Sequence, residues 1–194
     1  MSSVPYSARL YDVANISRNL SLSEIDELRR LVDDISQPPL WIPNPGPQQQ
    51  AYDCEADELF FGGAAGGGKS DACLGLAGTK HLNTVIFRRV FPSVRALIER
   101  SRMIFNRIGD TAFRDSFNES THLWRLRDGR RIEFGSIQHV KDVHVHQGRA
   151  RDLICWDEVT EFSEYQFRFI NAWNRTTVEG QRCRIVATGN PPTT

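Results

Sequence analysis

The chain has no excess of charge of either sign: among its 194 residues, 24 Lys and Arg balance 24 Asp and Glu. That removes any general argument for nucleic acid from composition, while a local basic surface stays compatible with a neutral total. Cysteine is scarce, and Cys54, Cys73, Cys155 and Cys183 form no CxxC pair. A zinc site or dithiol motif is therefore not expected, and the thiols read as reduced residues of a cytosolic protein. There is no long apolar run and no signal-peptide core, so the chain is expected to be soluble and intracellular, with no membrane partner. Internal repeats and low-complexity segments are missing as well. With 40% apolar residues, an ordinary core can form without disulfides or structural metal.

Residues 1–20 show no clear periodicity and are expected to form a flexible arm. From Ser21 the pattern changes. Ser21 or Ser23 can cap a helix, Glu24 and Asp26 stand in its first turn, and Ile25, Leu28, Leu31, Val32 and Ile35 recur at helical spacing. Such an apolar stripe requires a packing partner. Five prolines and one glycine between Pro38 and Pro47 then end the helix in an extended connector. Residues 1–44 are thus expected as an arm with an amphipathic helix, and 45–194 as the main domain.

The main domain alternates strands with helices. Strands are expected at Leu59 to Phe61, Val85 to Phe87, Leu153 to Trp156 and Arg184 to Ala187. Helices are expected from Ser70 to Lys80, from a capping Ser93 to about Ile108, and from Ser163 to about Trp173. Leu123 to Leu126 and Arg131 to Phe134, joined by Arg127-Asp128-Gly129-Arg130, read as a β-hairpin. This alternation predicts an α/β fold, a mainly parallel sheet with helices on both faces.

Between the first strand and its helix, Gly63-Ala64-Ala65-Gly66-Gly67-Gly68-Lys69-Ser70 satisfies G-x-x-x-x-G-K-[ST] without a gap. A loop that wraps a phosphate chain must turn several backbone N–H groups inward, which requires small residues and positive φ. The following helix presents its N-terminal dipole to the same anion. Lys69 would reach the β- and γ-phosphates, and Ser70 would offer its hydroxyl to Mg²⁺. The fold class expected is a P-loop NTPase of the RecA/ASCE-like kind, acting on ATP with Mg²⁺.

Leu153-Ile154-Cys155-Trp156-Asp157-Glu158 is an apolar run ending in two carboxylates. A buried parallel strand delivers its C-terminal end to the ligand edge of the sheet. Asp157 would hold Mg²⁺ there, and Glu158 would polarise the water attacking the γ-phosphate. An adjacent base favours hydrolysis over transfer to a small acceptor. Arg184 to Pro191 forms a further strand ending at the same edge, where Thr188 or Asn190 can sense the γ-phosphate. Upstream, Gln48 lies in Pro45-Gly46-Pro47-Gln48-Gln49-Gln50, and its amide can read the N6 and N7 edge of adenine.

Two other clusters carry open readings. Arg95, Arg100, Arg102 and Arg107 form either a basic helix face for DNA or a solvated face. His139, His144 and His146 lie in a loop-like region where a metal site is a minor option.

Jointly, G-P-Q, L-F-F-G-G-A-A-G-G-G-K-S, V-I-F-R-R, Gln147-Gly148-Arg149 before D-L-I-C-W-D-E, and A-T-G-N-P resemble the large terminase subunit of tailed bacteriophages, over about Pro45 to Pro192. The resemblance implies an ATPase motor that drives double-stranded DNA into a preformed capsid in the host cell cytoplasm. Gln48 matches the adenine-contacting glutamine, Gly63 to Ser70 the phosphate loop, Asp157 and Glu158 the Mg²⁺ and catalytic pair, and Thr188-Gly189-Asn190 the coupling motif. It also implies a homo-oligomeric ring on the capsid portal, a small terminase subunit, and an arginine acting in trans. Arg149 is the first choice for that arginine, with Arg88, Arg89 and Arg151 as rivals. Family members carry a C-terminal nuclease domain with an acidic metal cluster, and no such cluster can be placed in these residues. Two readings stay open, an isolated ATPase fragment or a partner domain on another chain; an isolated domain is compatible with a monomer and would be short of the strands that complete its sheet. The competing readings are another P-loop ATPase such as a helicase-like translocase, a small-molecule kinase, and a nucleotide-gated structural subunit.

Overall fold

The structure, a computed structural model, describes residues 20–27, 39–105, 117–126 and 128–191. The chain divides into two compact units, Met1–Pro38 and Pro39–Thr194. In the first unit, residues 22–27 are helical (α1). Ser21 is the cap: its N–H donates to the Glu24 carboxylate at 2.7 Å, and the Glu24 N–H returns to Ser21 Oγ at 3.3 Å. Each satisfies a backbone donor that a helix start leaves unpaired. The expected arm, and Leu28, Leu31, Val32 and Ile35 of the expected stripe, lie outside the described residues.

The second unit holds a seven-stranded sheet. Its strands are β1 (Glu58–Gly62), β2 (Asn83–Arg88), β3 (Phe117–Asn118), β4 (Leu123–Arg125), β5 (Arg131–Ser136), β6 (Leu153–Trp156) and β7 (Arg184–Gly189), in the order β1-β7-β6-β2-β5-β4-β3. The first five in that order pair in parallel, and β4 and β3 extend the sheet antiparallel. The expected α/β class is the one observed. Residues 153–156 of β6 and 184–189 of β7 are buried throughout, as continuous strand runs in a parallel sheet must be.

Among the described residues, the α-helices of this unit are α2 (Pro47–Asp53), α3 (Lys69–Thr79), α4 (Phe91–Phe105) and α5 (Glu164–Asn171). Strand residues alternate between two cores. Ile86, Leu153, Cys155 and Val186 face Leu74, Leu76, Val94, Leu97 and Phe105 of α3 and α4. On the opposite face Val85, Phe87, Ile154, Trp156 and Ile185 meet Val143, Ile170, Phe162 and Phe167. Trp156 is fully buried, with its indole N–H donating to Asn171 Oδ1 at 2.9 Å. Truncating such a residue typically costs about 3–5 kcal/mol.

Beyond shifts of one or two residues at element ends, three features differ from the sequence expectation. Part of the connector is helical, because Pro47 at the first helical position after Gly46 is preorganised to start α2. Helix α4 begins at Phe91 rather than after a capping Ser93; Ser93 lies inside its first turn, and its N–H donates to the Val90 carbonyl at 3.1 Å. The hairpin forms with Trp124 opposite Ile132, and it gains the short strand β3, whose two residues are too few for a periodic signal. Leu40 and Trp41 of the connector pack on α3, where a side chain at Gly75 would meet the Trp41 ring at 2.1 Å.

Candidate functional site

Four parallel strands end side by side at one edge of the sheet, and their register decides which residues meet there. Phe61 pairs with Thr188 and Gly62 with Gly189, so Gly63 and Asn190 leave the sheet together. Trp156 pairs with Ala187 on one side and Phe87 on the other, which sets Asp157 between Thr188 and Arg88.

Gly63, Gly66 and Gly68 have φ of 148°, 83° and 71°, conformations that L side chains rarely adopt. Gly68 is the left-handed N-cap of α3. Lys69, 7% exposed, folds back over the loop. Its Nζ donates to the carbonyls of Gly63 (2.9 Å) and Ala64 (2.8 Å) and to Asn190 Oδ1 (2.9 Å). All three ammonium donors are thereby engaged.

Asp157 is 1% exposed and ringed by donors. Ser70 Oγ lies 2.9 Å from its Oδ2, and Thr188 Oγ1 donates to its Oδ1 at 2.6 Å. Arg88 supplies the countercharge, with Nε at 2.7 Å and Nη2 at 2.6 Å from Oδ2, and Nη2 also reaches Ser70 Oγ at 3.2 Å. Next in the chain, Glu158 sits at φ 63° and ψ 58°, left-handed for a residue with a side chain. That costs roughly 1–2 kcal/mol and turns its carboxylate toward Asn190 Nδ2, 3.5 Å from both oxygens. Its N–H is held by Thr188 Oγ1 at 3.3 Å.

A cavity of about 500 Å³ opens beside the loop, lined by Asn44, Pro45, Gln48, Phe61, Gly63 to Gly67 and Lys69. That volume is in the range of small-molecule sites. Gln48 is buried in its wall, and its amide joins the two sides. Gln48 Oε1 accepts the Asn44 N–H at 2.6 Å, while Nε2 donates to the Gly68 carbonyl at 2.7 Å. One N–H and one lone pair of the amide remain.

The four candidate arginines separate by partner. Arg149 Nη1 donates to Glu133 of β5 at 2.8 Å, with its side chain 47% exposed. The structure brings it to that carboxylate and not to its own phosphate loop. Arg151, 13% exposed, shares Glu133. Arg89 donates to the Ile137 carbonyl and to Gln166 Oε1. Arg88 alone joins the carboxylate site in cis. Sequence reasoning missed this: Arg88 ends β2 and Asp157 follows β6, and only the parallel pairing of those two strands brings the residues together.

In the α4 cluster, Arg100 is paired to Asp71, Arg102 to Glu99 and Glu119, and Arg107 lies outside the described residues. His139 caps the 3-10 turn Val140–His146, His144 packs edge-on to Phe169, and His146 packs edge-on to Phe87. Burial lowers the His146 imidazole to about 4. Among the described residues, no group of three or more His, Cys, Asp and Glu is placed to hold a metal ion. All four cysteines are free; Cys73 and Cys155 are buried, and the Cys73 thiol is pushed well up by its hydrogen bond with Cys155 and by burial. No described helix is long and apolar enough to cross a membrane.

No protein-family model matches the chain, and no curated protein matches it. Solved structures similar to it include two phage large terminases. One is the large terminase of a thermophilic bacteriophage, 14% identical, covering 77% of this chain and 40% of that chain, with a TM-score of 0.48. The other is the ATPase domain of a Thermus phage large terminase, 12% identical, covering 79% of this chain and 67% of that chain, with a TM-score of 0.47. The chain therefore spans well under half the length of the first.

Proposed function

We propose that this chain is a Mg²⁺-dependent ATPase, the motor domain of a phage large terminase that moves double-stranded DNA into a capsid. The observation that carries the ATPase reading is the meeting of Lys69, Ser70, Asp157, Glu158 and Asn190 at one sheet edge beside a phosphate-sized loop. The DNA-packaging part rests on the joint sequence pattern from Gly46-Pro47-Gln48 to Gly189-Asn190-Pro191.

The donor set fits Mg²⁺. That ion takes one or two protein oxygens and completes its octahedron with phosphate and water, so no cage of carboxylates is needed. Ser70 Oγ and the Asp157 carboxylate, 2.9 Å apart, are such a pair, and the cationic Arg88 group already rests on both. Bound there, the metal would neutralise charge on the phosphates and orient them. Lys69 would exchange its two loop carbonyls for phosphate oxygens, and the N–H groups of residues 63–68 would cradle the chain. Gln48, in the wall of the cavity, would read adenine with its remaining N–H and lone pair. Glu158 would hold the attacking water and take its proton, oriented by Asn190. Arg149, the most exposed of Arg88, Arg149 and Arg151, is the one suited to reach a neighbouring subunit in a ring. The portal and a small terminase subunit are the further partners proposed.

The test is steady-state ATPase activity with Mg²⁺, with and without double-stranded DNA and portal, beside nucleotide binding. Lys69→Ala should lose binding. Glu158→Gln should bind normally and lose turnover by about 10²–10⁴, the usual contribution of a general base. Binding that survives Lys69→Ala unchanged would sink the site assignment; turnover indifferent to DNA and portal in every assembly would sink the motor.

A further inference from the structure

Asp157 presents a buried carboxylate, and a charge so enclosed requires a cation or must be neutralised at a cost of several kcal/mol. In this structure the cation is Arg88. Its guanidinium spans both members of the oxygen pair assigned above to the metal: Nε and Nη2 lie at 2.7 and 2.6 Å from Asp157 Oδ2, and Nη2 lies at 3.2 Å from Ser70 Oγ. A guanidinium there and a divalent ion on the same two oxygens would place two positive charges within a few ångströms in a half-closed site. They exclude each other both sterically and electrostatically.

We infer that Arg88 is a built-in competitor for the Ser70–Asp157 cation site, so that the domain loads a divalent ion only by displacing its own arginine. The inference rests on the assignment of Ser70 and Asp157 as the metal's oxygens. Arg88 is well placed for the exchange. It is the last residue of β2, its side chain is 22% exposed, and a flexible stem lets the head swing out while β2 stays paired to β6. The exchange never leaves the Asp157 carboxylate without a countercharge, because one cation leaves as the other arrives. It also sets a threshold: the apparent metal affinity is the intrinsic affinity divided by one plus the strength of the arginine's own hold. The displaced guanidinium remains beside a site then filled with phosphate charge, which gives it a second place to bind.

The experiment titrates the full chain with Mn²⁺ alone, counting free ion by its electron paramagnetic resonance signal. Wild type is compared with Arg88→Ala, Arg88→Lys and Asp157→Asn. Losing a charge-assisted competitor should tighten Mn²⁺ binding by about tenfold in Arg88→Ala. Arg88→Lys should tighten it by less, since lysine keeps a competing charge although it cannot fork across Ser70 and Asp157 together. Asp157→Asn should abolish the binding. Saturating Mn²⁺ should raise the melting temperature of Arg88→Ala by more than that of wild type, because the ion restores a countercharge that wild type already has. Equal or weaker Mn²⁺ binding in Arg88→Ala, with binding still lost in Asp157→Asn, overturns the competition and leaves the metal assignment standing. Binding untouched by Asp157→Asn overturns that assignment itself. Should Arg88→Ala fail to melt cooperatively, Arg88→Lys decides alone: binding no tighter than wild type overturns the inference.

Discussion

Lys69 and Asn190 lie 121 positions apart in the chain, yet the lysine donates to the Asn190 side-chain oxygen at 2.9 Å. The other end of the same amide faces Glu158 at 3.5 Å from each carboxylate oxygen. One planar group thus spans the phosphate-loop lysine and the proposed base, so a change at either is felt at the other. Asn190→Ala removes that link without touching the loop backbone. Nucleotide affinity should change by less than about threefold, while kcat should fall by roughly a hundredfold, the low end for a mispositioned base. Separate measurement of KM and kcat checks this; a rise in KM alone would return Asn190 to simple binding.

Thr188 carries two hydrogen bonds in a fully buried position, donating to Asp157 and accepting from the Glu158 N–H. Thr188→Val keeps the shape and strips both. The unfolding free energy in urea should drop by about 1–3 kcal/mol, the cost of leaving buried polar groups unpaired. Thr188→Ser should recover most of it.

Gly68 combines a φ of 71° with close approach, since a Cβ there would fall 2.4 Å from Gln48 Nε2. Gly68→Ala therefore strains the backbone and breaks the amide strap between α2 and the loop. A loss of about 2 kcal/mol in urea unfolding is expected, together with weakened nucleotide binding. Gly63→Ala meets nothing within 4 Å, so strain at its φ of 148° is its only cost.

Burial lowers His146 from 6.5 to about 4. Between those values the unfolded chain binds a proton that the folded chain refuses. Stability from this group is therefore complete above pH 6.5 and is lost as pH falls toward 4, by up to about 3 kcal/mol. His146→Phe keeps an aromatic ring against Phe87 and has nothing to protonate. Its urea midpoint should fall less than that of wild type between neutral pH and about pH 4.5; parallel slopes would remove His146 as the cause.

Local chemistry was legible wherever a short stretch of chain carries the whole physical reason. The glycines of residues 63–68 and the apolar runs of β2, β6 and β7 are such cases. So is the Ser163 cap of α5, whose Oγ accepts the Gln166 N–H at 3.3 Å while Gln166 Oε1 accepts the Ser163 N–H at 2.9 Å. The start of α2 at Pro47 carried an equally local signal that was overlooked among the neighbouring prolines. Strand β3 had no comparable signal, since two residues acquire a strand conformation only from a neighbour already in the sheet.

The sequence alone therefore determined the α/β class, the phosphate-type loop and the strand ends at which polar residues emerge, because periodicity, φ preference and capping act within a few residues. Only the tertiary structure decided the partners of those residues. Parallel register between β6 and its neighbours β2 and β7 is what puts Arg88 and Thr188 on Asp157 and leaves Arg149 with Glu133. The same packing turns Gln48 into a strap. Register in a parallel sheet is fixed by side chains packing on both faces at once, over separations that no local pattern reports.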